Sequence, residues 1–113
     1  MNNGFLGPAY SDAYIEKFLR RRKIPYRKYP CKDIPKITAE LILEDRIVGW
    51  FEGRAEFGPR ALGARSILAD ARSFNMHDRI NLEVKSREPF RPLAPSVLAE
   101  FAYDYFELQQ ENP

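Results

Sequence analysis

Apolar residues recur at helical spacing in the first stretch of the chain, "SDAYIEKFLRRRKIP", where Tyr14, Ile15, Phe18 and Leu19 form one stripe between charged positions. Ser11 is placed to cap this helix, Asp12 suits its first turn, and Pro25 closes it. "PYRKYP" reads as a short strand. "IPKITAELILED" predicts a second helix with Ile37, Leu41 and Leu43 facing inward. "RIVGWFEG" has the β-branched and aromatic residues of a strand, which Gly53 ends. "FGPRALG" is punctuated by Gly58, Pro59 and Gly63 and predicts a turn built around at most one helical turn. "RSILAD" reads as a buried strand, and "SFNMHDRINLEVK" as a third helix with Met76, Ile80 and Val84 at i, i+4 and i+8. "SREPFRPLAPSVLAE" starts as a proline-rich loop and becomes a strand over residues 94–98, and "EFAYDYFEL" is a short aromatic-rich helix or turn. Helices alternating with strands over short connections imply an α/β or α+β layer fold.

Composition narrows the class. The length of 113 residues fits one small domain, and 44% hydrophobic content is enough to bury a core. No apolar run reaches membrane-spanning length or has the layout of a signal peptide, so a membrane partner is not expected. The single cysteine, Cys31, permits no internal disulfide and no cysteine metal site, which suits a reducing, cytoplasmic setting. The net charge is only +2, so the chain is not a bulk polyanion binder. The run from Arg20 to Lys23 falls where positive charge complements the helix dipole, and it reads as a solvated face.

The distribution of arginine says more than the total. Arg54, Arg60, Arg65, Arg72, Arg79, Arg87 and Arg91 fall within one central stretch, with Lys85 among them. Arginine where lysine would serve for solubility points to planar, forked recognition of oxyanions. Two segments carry this chemistry. In "EGRAEFGPRALGARS", glycines let backbone amides approach a ligand, and Pro59 can start a helical turn whose Arg60 and Ala61 amides point at an anion. Arg60 and Arg65 supply forked donors and Ser66 a hydroxyl. The segment is neither a phosphate-binding P-loop nor a dinucleotide glycine fingerprint. The plainer alternative is a tight turn whose arginines pair with Glu52 and Glu56. In "KSREPFRPLAPS", Lys85, Arg87 and Arg91 lie on a loop stiffened by Pro89, Pro92 and Pro95, which suits a multiply charged small molecule such as a triphosphate. Its alternative is a solvated connector, with Phe90 either a base-stacking surface or core. His77 has no second histidine or clustered carboxylate nearby, so no protein metal site is expected. Asp70 reads as a turn cap, or as a water-mediated contact to magnesium.

"GWFEGRAEFGPRALGARSILADARS" followed by "MHDRINLEVKSREPFRPLAPSVL" resembles the C-terminal domain of the O-carbamoyltransferases, the nodulation-factor and antibiotic-tailoring enzymes; "LGPAYSDAYIEKFL" resembles the start of that domain. The likeness runs from about Phe5 to Phe106 and departs at Ala55 and Ala64, where a methionine and an asparagine are expected. It implies that residues 1–113 are part of a YrdC-like α/β domain, a twisted, mixed open sheet with flanking helices. Family members continue beyond "QQENP", so a C-terminally truncated piece is expected. It further implies that the domain binds carbamoyl phosphate and ATP with magnesium to form carbamoyladenylate. An N-terminal domain of the same full-length enzyme then transfers the carbamoyl group to an acceptor hydroxyl. Motif and charge together nominate Arg60, Lys85 and Arg91 as catalytic cations. Arg54, Arg60, Arg65, Ser66, Lys85, Arg87, Arg91 and Ser96 are nominated as substrate and ATP contacts. An RNA-binding module of YrdC-like fold is the rival class; it needs a continuous basic face, which the modest charge disfavours. A non-catalytic fragment that docks on the N-terminal domain is the third.

Overall fold

Ser11 starts the first helix as its sequence position requires. In the computed structural model, which describes residues 4–107, α1 spans Asp12–Arg21, and the Ser11 hydroxyl accepts a hydrogen bond from the Tyr14 amide at 3.2 Å. The helix stops before Pro25 acts. Lys23 turns left-handed at φ 56°, and the amides of Lys23 and Ile24 return to the carbonyls of Arg20 and Leu19 at 3.1 and 3.0 Å, the paired bonds of a Schellman ending. The strand expected over residues 25–30 does not form. Pro25 and Pro30 remove two donors, and the segment is held to α1 by side chains instead. Lys28 Nζ lies 2.9 Å from Glu16 Oε2, and Tyr26 donates its hydroxyl to Glu16 Oε1 at 2.9 Å.

A 3-10 turn, Cys31–Asp33, leads into α2, Ile34–Leu43, with Pro35 in the first turn where a missing N–H has no intrahelical partner. Ile37 and Leu41 are half-buried, as expected, but Leu43 is 66% exposed. The 3.6-residue period carries the inward stripe through Ile34, Thr38 and Ile42 and turns Leu43 outward. α2 packs on β1, Val48–Phe51. That strand pairs antiparallel with β2, Arg65–Leu68, in the register Val48 opposite Leu68, Gly49 opposite Ile67, Trp50 opposite Ser66 and Phe51 opposite Arg65. Val48 and Trp50 are half-buried while Gly49 and Phe51 face solvent, the alternation of a ribbon covered on one side. β2 is therefore not the buried strand expected; Ile67 is 41% exposed. The structure is mixed α and β as anticipated, and among the described residues its sheet is this two-stranded ribbon.

The ribbon's loop is backed by the start of the chain. Gly7 donates to the Ala55 carbonyl at 2.9 Å, Ala55 donates to Pro8 at 3.0 Å, and Phe57 donates to Gly4. A side chain at position 7 does not fit this approach, because its Cβ would lie 2.8 Å from both the Cβ and the carbonyl oxygen of Ala55.

The chain divides after Met76 into two compact units, Met1–Met76 and His77–Pro113. The expected third helix is short: α3 spans Met76–Arg79 and widens into a π turn, Ile80–Val84, in which the Lys85 amide reaches back five residues to the Ile80 carbonyl at 2.9 Å. Met76 and Ile80 are buried, but Val84 is 44% exposed and Asn81 is fully buried in its place. The extra residue in the turn breaks the i+4 stripe. The strand expected over residues 94–98 is absent; Pro92 and Pro95 lack donors and no strand pairs with the segment among the described residues. A 3-10 turn, Ala99–Phe101, and α4, Ala102–Tyr105, form the short aromatic helix or turn expected here. Phe90, one alternative for the core, is 80% exposed. The end of "YFELQQENP", on which an early stop was expected, lies outside the described residues.

Candidate anion-binding segments

The loop between β1 and β2 is shaped by two glycines that no other residue replaces without strain, Gly58 at φ 118° and Gly63 at φ 107°. They let successive amides converge. Leu62, Ala64 and Arg65 donate to Glu56 Oε1 at 2.7, 2.8 and 3.1 Å, and the amide between them, Gly63, donates to the Ser66 hydroxyl at 3.1 Å. This is a backbone nest of the kind that cradles anions. Hydrogen bonding, foremost from the Leu62 amide, lowers the Glu56 carboxyl to about 2. The sequence anticipated an amide cradle, but in another place. No helical turn forms at Pro59, the amides that converge are those of residues 62, 64 and 65, and the anion they hold is the chain's own Glu56.

Arg65 is tied as thoroughly. Its Nη1 donates to the carbonyls of Glu52 and Ala64 at 2.8 and 2.9 Å, and its Nη2 donates to Pro8 and Gly53 at 3.2 and 3.1 Å. All four terminal N–H groups are thereby matched to carbonyls. Arg54 donates from Nε to Gly7 and from Nη2 to Leu6, at 3.1 and 2.9 Å. Both arginines fasten residues 6–8 to the loop. The pairing with Glu52 weighed from sequence runs through its backbone carbonyl; the Glu52 carboxylate accepts from Trp50 Nε1 at 3.2 Å. Arg60 is different. It is exposed and makes no ion pair or hydrogen bond among the described residues. Ser66 is half-buried behind the nest.

In the second unit the basic loop folds around Asn81. Its Nδ2 donates to the carbonyls of Pro89 and Arg91 at 3.0 and 2.9 Å, and its Oδ1 accepts from Arg87 Nε at 2.8 Å. His77 Nε2 lies 2.8 Å from the Arg91 carbonyl; a carbonyl only accepts, so Nε2 carries the proton. Arg91 Nε pairs with Glu88 at 2.8 Å. The Glu88 carboxyl is lowered by its own backbone amide first and by Arg91 second. Ser86 bends the loop at φ 45°. The Lys85 side chain is exposed and makes no ion pair or hydrogen bond among the described residues, and Ser96 is exposed with none either. Sequence reasoning passed over Asn81. A polar side chain beside Ile80 was the available signal, and the helical period placed it off the inward stripe.

Asp70 is a turn cap. It accepts from the Arg72 amide at 2.9 Å and pairs with the Arg72 guanidinium at 2.6 Å, which lowers its carboxyl to about 2. Among the described residues no three His, Cys, Asp or Glu side chains cluster as a metal site, and no helix is long and apolar enough to cross a membrane.

Residues 39–113 match the family model described as "Carbamoyltransferase C-terminus". An uncharacterized protein of Synechocystis is 46% identical over 115 residues, covering 100% of this chain and 19% of the relative. Nodulation protein NolNO of Sinorhizobium fredii is 55% identical over 86 residues, 74% of this chain and 13% of that protein. Nodulation protein U of Rhizobium fredii is 40% identical over 112 residues, 97% of this chain and 19% of that protein. The chain thus spans no more than 19% of the length of these relatives.

Proposed function

The chain belongs to the carbamoyltransferase C-terminus family, and on that premise we propose that it serves carbamoyl transfer by holding carbamoyl phosphate and ATP for carbamoyladenylate formation. The supporting observation is the basic loop of the second unit. Lys85 and the terminal nitrogens of Arg87 and Arg91 carry donors on a backbone already anchored by Asn81 and His77. Arg87 and Arg91, each held at Nε, bind an oxyanion with less loss of their own freedom, and Lys85 adds a mobile charge beside them. In the YrdC-like domain that the resemblance implies, the β1–β2 ribbon belongs to the wider open sheet.

Carbamoyl phosphate and water give carbamate and inorganic phosphate. A carbamate oxygen attacks the α-phosphorus of ATP, and the bond to the β-phosphate bridge oxygen breaks to release pyrophosphate. Negative charge gathers on the α-phosphoryl oxygens and on the departing pyrophosphate. Arg60, Lys85 and Arg91 stabilise that charge by position alone, with no covalent nucleophile. Arg87 and Ser96 bind the substrates. Arg54, Arg65 and Ser66 take a supporting part, because their polar groups hold the loop that bears Arg60. Magnesium chelated by the triphosphate would lower the repulsion between the two anions. Magnesium that arrives with ATP keeps most of its waters and takes few protein carboxylates, so Asp70, already held by Arg72, would meet it through water. The carbamoyl group then passes to an acceptor hydroxyl in the N-terminal domain of the full-length enzyme, in the cytoplasm.

Calorimetric titration of the chain with ATP and magnesium tests the reading. Saturable binding is expected, with Arg60→Ala and Arg91→Ala each weakening it by roughly 1–3 kcal/mol, as for a lost charge-assisted contact. Binding unchanged by both substitutions would remove these residues from the site.

A further inference from the structure

The one side chain that the basic loop cannot do without takes no part in the reaction above. Asn81 is 0% exposed, and both polar atoms of its side chain bond to the loop. Nδ2 gives its two hydrogens to Pro89 and Arg91, Oδ1 takes the Arg87 Nε–H, and the Asn81 backbone carbonyl takes the Arg87 amide at 2.9 Å. The loop needs such a partner. Pro89 and Pro92 offer no N–H, and the Arg91 amide is taken by the Glu88 carbonyl, so the Pro89 and Arg91 carbonyls find their partners outside the loop. Only a carboxamide of this length donates twice and accepts once. Aspartate donates nothing, leucine leaves the Pro89 carbonyl and the Arg87 Nε–H unpaired, and glutamine is one methylene too long for a closed site.

The π turn is what brings Asn81 here. With the Lys85 amide on Ile80 rather than one residue later, position 81 turns inward and Val84 turns out. The hydrogen bond to Arg87 falls on Nε, so the guanidinium is held by one edge while both terminal nitrogens stay available. Arg91 is fixed through its carbonyl, which His77 shares.

We propose that Asn81 is a positioning residue that sets the Arg87 guanidinium, and anchors the Arg91 backbone through its carbonyl, so that the terminal guanidinium nitrogens of both are preordered donors for the phosphate oxygens of the substrate. This rests on the anion reading of the basic loop and adds the residue that makes its geometry.

The test titrates ATP with magnesium, and separately inorganic tripolyphosphate, against the wild-type chain, Asn81→Asp, Arg87→Ala and the double variant, with thermal unfolding of each. Asn81→Asp keeps the size and the acceptor but sets an oxygen against two carbonyls and ties Arg87 to a charge. Each single change should weaken tripolyphosphate binding about tenfold or more, as for a lost charged hydrogen bond. The double variant should be little worse than Arg87→Ala, because both changes remove the same donor. A merely structural Asn81 gives another pattern, in which Asn81→Asp weakens binding by the same factor with and without Arg87, and that result overturns the proposal. So does wild-type affinity in Asn81→Asp when Arg87→Ala is impaired, an outcome that leaves the anion reading intact. A wild-type chain that binds neither probe ends both. If Asn81→Asp does not fold, hydrogen exchange of the Arg87 Nε–H in the wild type decides. It should be slowed relative to that of Arg60, and equal rates overturn the assignment.

Discussion

Phe51 and Arg65 face one another across the β1–β2 ribbon, and the guanidinium carbon of Arg65 lies 3.5 Å from the centre of the Phe51 ring. The same guanidinium donates to the carbonyls of Pro8, Glu52, Gly53 and Ala64. Arg65 is thus a staple joining the strand end, the loop and the first residues of the described chain. Arg60, five positions earlier on the same loop, has none of these ties.

Arg65→Lys should be costly. Lysine keeps the charge but loses the planar fork, so at most part of the carbonyl set is retained and the ring stacking is lost. Urea unfolding should show a loss of about 2–4 kcal/mol, the scale of two charge-assisted bonds. Arg60→Lys should stay within about 0.5 kcal/mol of wild type, as for an uncontacted surface position. Equal effects of the two changes would mean that the staple contributes nothing.

The nest around Glu56 predicts an acid-labile loop. The Glu56 carboxyl is lowered from 4.5 to about 2 in the folded chain. A depressed folded value contributes stability that is complete above the unfolded value and disappears as the pH falls through the folded one. Melting temperature should therefore decline between about pH 5 and about pH 2. Glu16 and Asp70, also lowered to about 2 by Lys28 and Arg72 respectively, lose their contributions in the same window. Glu56→Gln should lower the melting temperature at neutral pH and leave a shallower acid decline, carried by Glu16, Asp70 and Glu88, whose carboxyls are also lowered. Parallel curves for wild type and variant would show that the nest does not recognise charge.

Gly7→Ala is expected to loosen the start of the chain. Its Cβ would press on Ala55 at 2.8 Å, so the pairing of residues 4–8 with residues 55–57 must shift, at a cost of about 1–3 kcal/mol. Amide exchange at Gly7 and Ala55 reports this directly. The change should speed exchange at both sites while leaving that of α1 unaltered.

Lys23→Gly should stabilise. Lys23 closes α1 at φ 56°, a conformation that an L side chain adopts at a penalty and glycine adopts freely, so a gain of about 0.5–1 kcal/mol in chemical denaturation is expected.

Local signals carried much of this fold. Ser11 and the Tyr14, Ile15, Phe18 and Leu19 stripe specified α1, and Val48, Trp50 and Phe51 specified β1, because caps and periodicity act within a few residues. What escaped depended on partners. Residues 25–30 and 94–98 have strand composition, but a strand needs a neighbour, and the prolines in and beside them remove donors. Asn81 was hidden because one backbone bond, Lys85 to Ile80, changes which side chains face inward. In the candidate site, the glycine-rich loop was legible as an amide cradle, yet glycine spacing does not say which anion fills it. Glu56 does so because it is covalently near. Arg54 and Arg65 look like ligand-binding residues in sequence; their carbonyl partners are brought together only by folding.

Incorporation of labelled pyrophosphate into ATP tests carbamoyladenylate formation most directly. With magnesium present, the chain should exchange pyrophosphate into ATP only when carbamoyl phosphate is added, and Arg91→Ala should slow that exchange at least about tenfold, as for a lost charge-stabilising group. Exchange that proceeds equally without carbamoyl phosphate, or no exchange at any concentration of it, would contradict the proposed function.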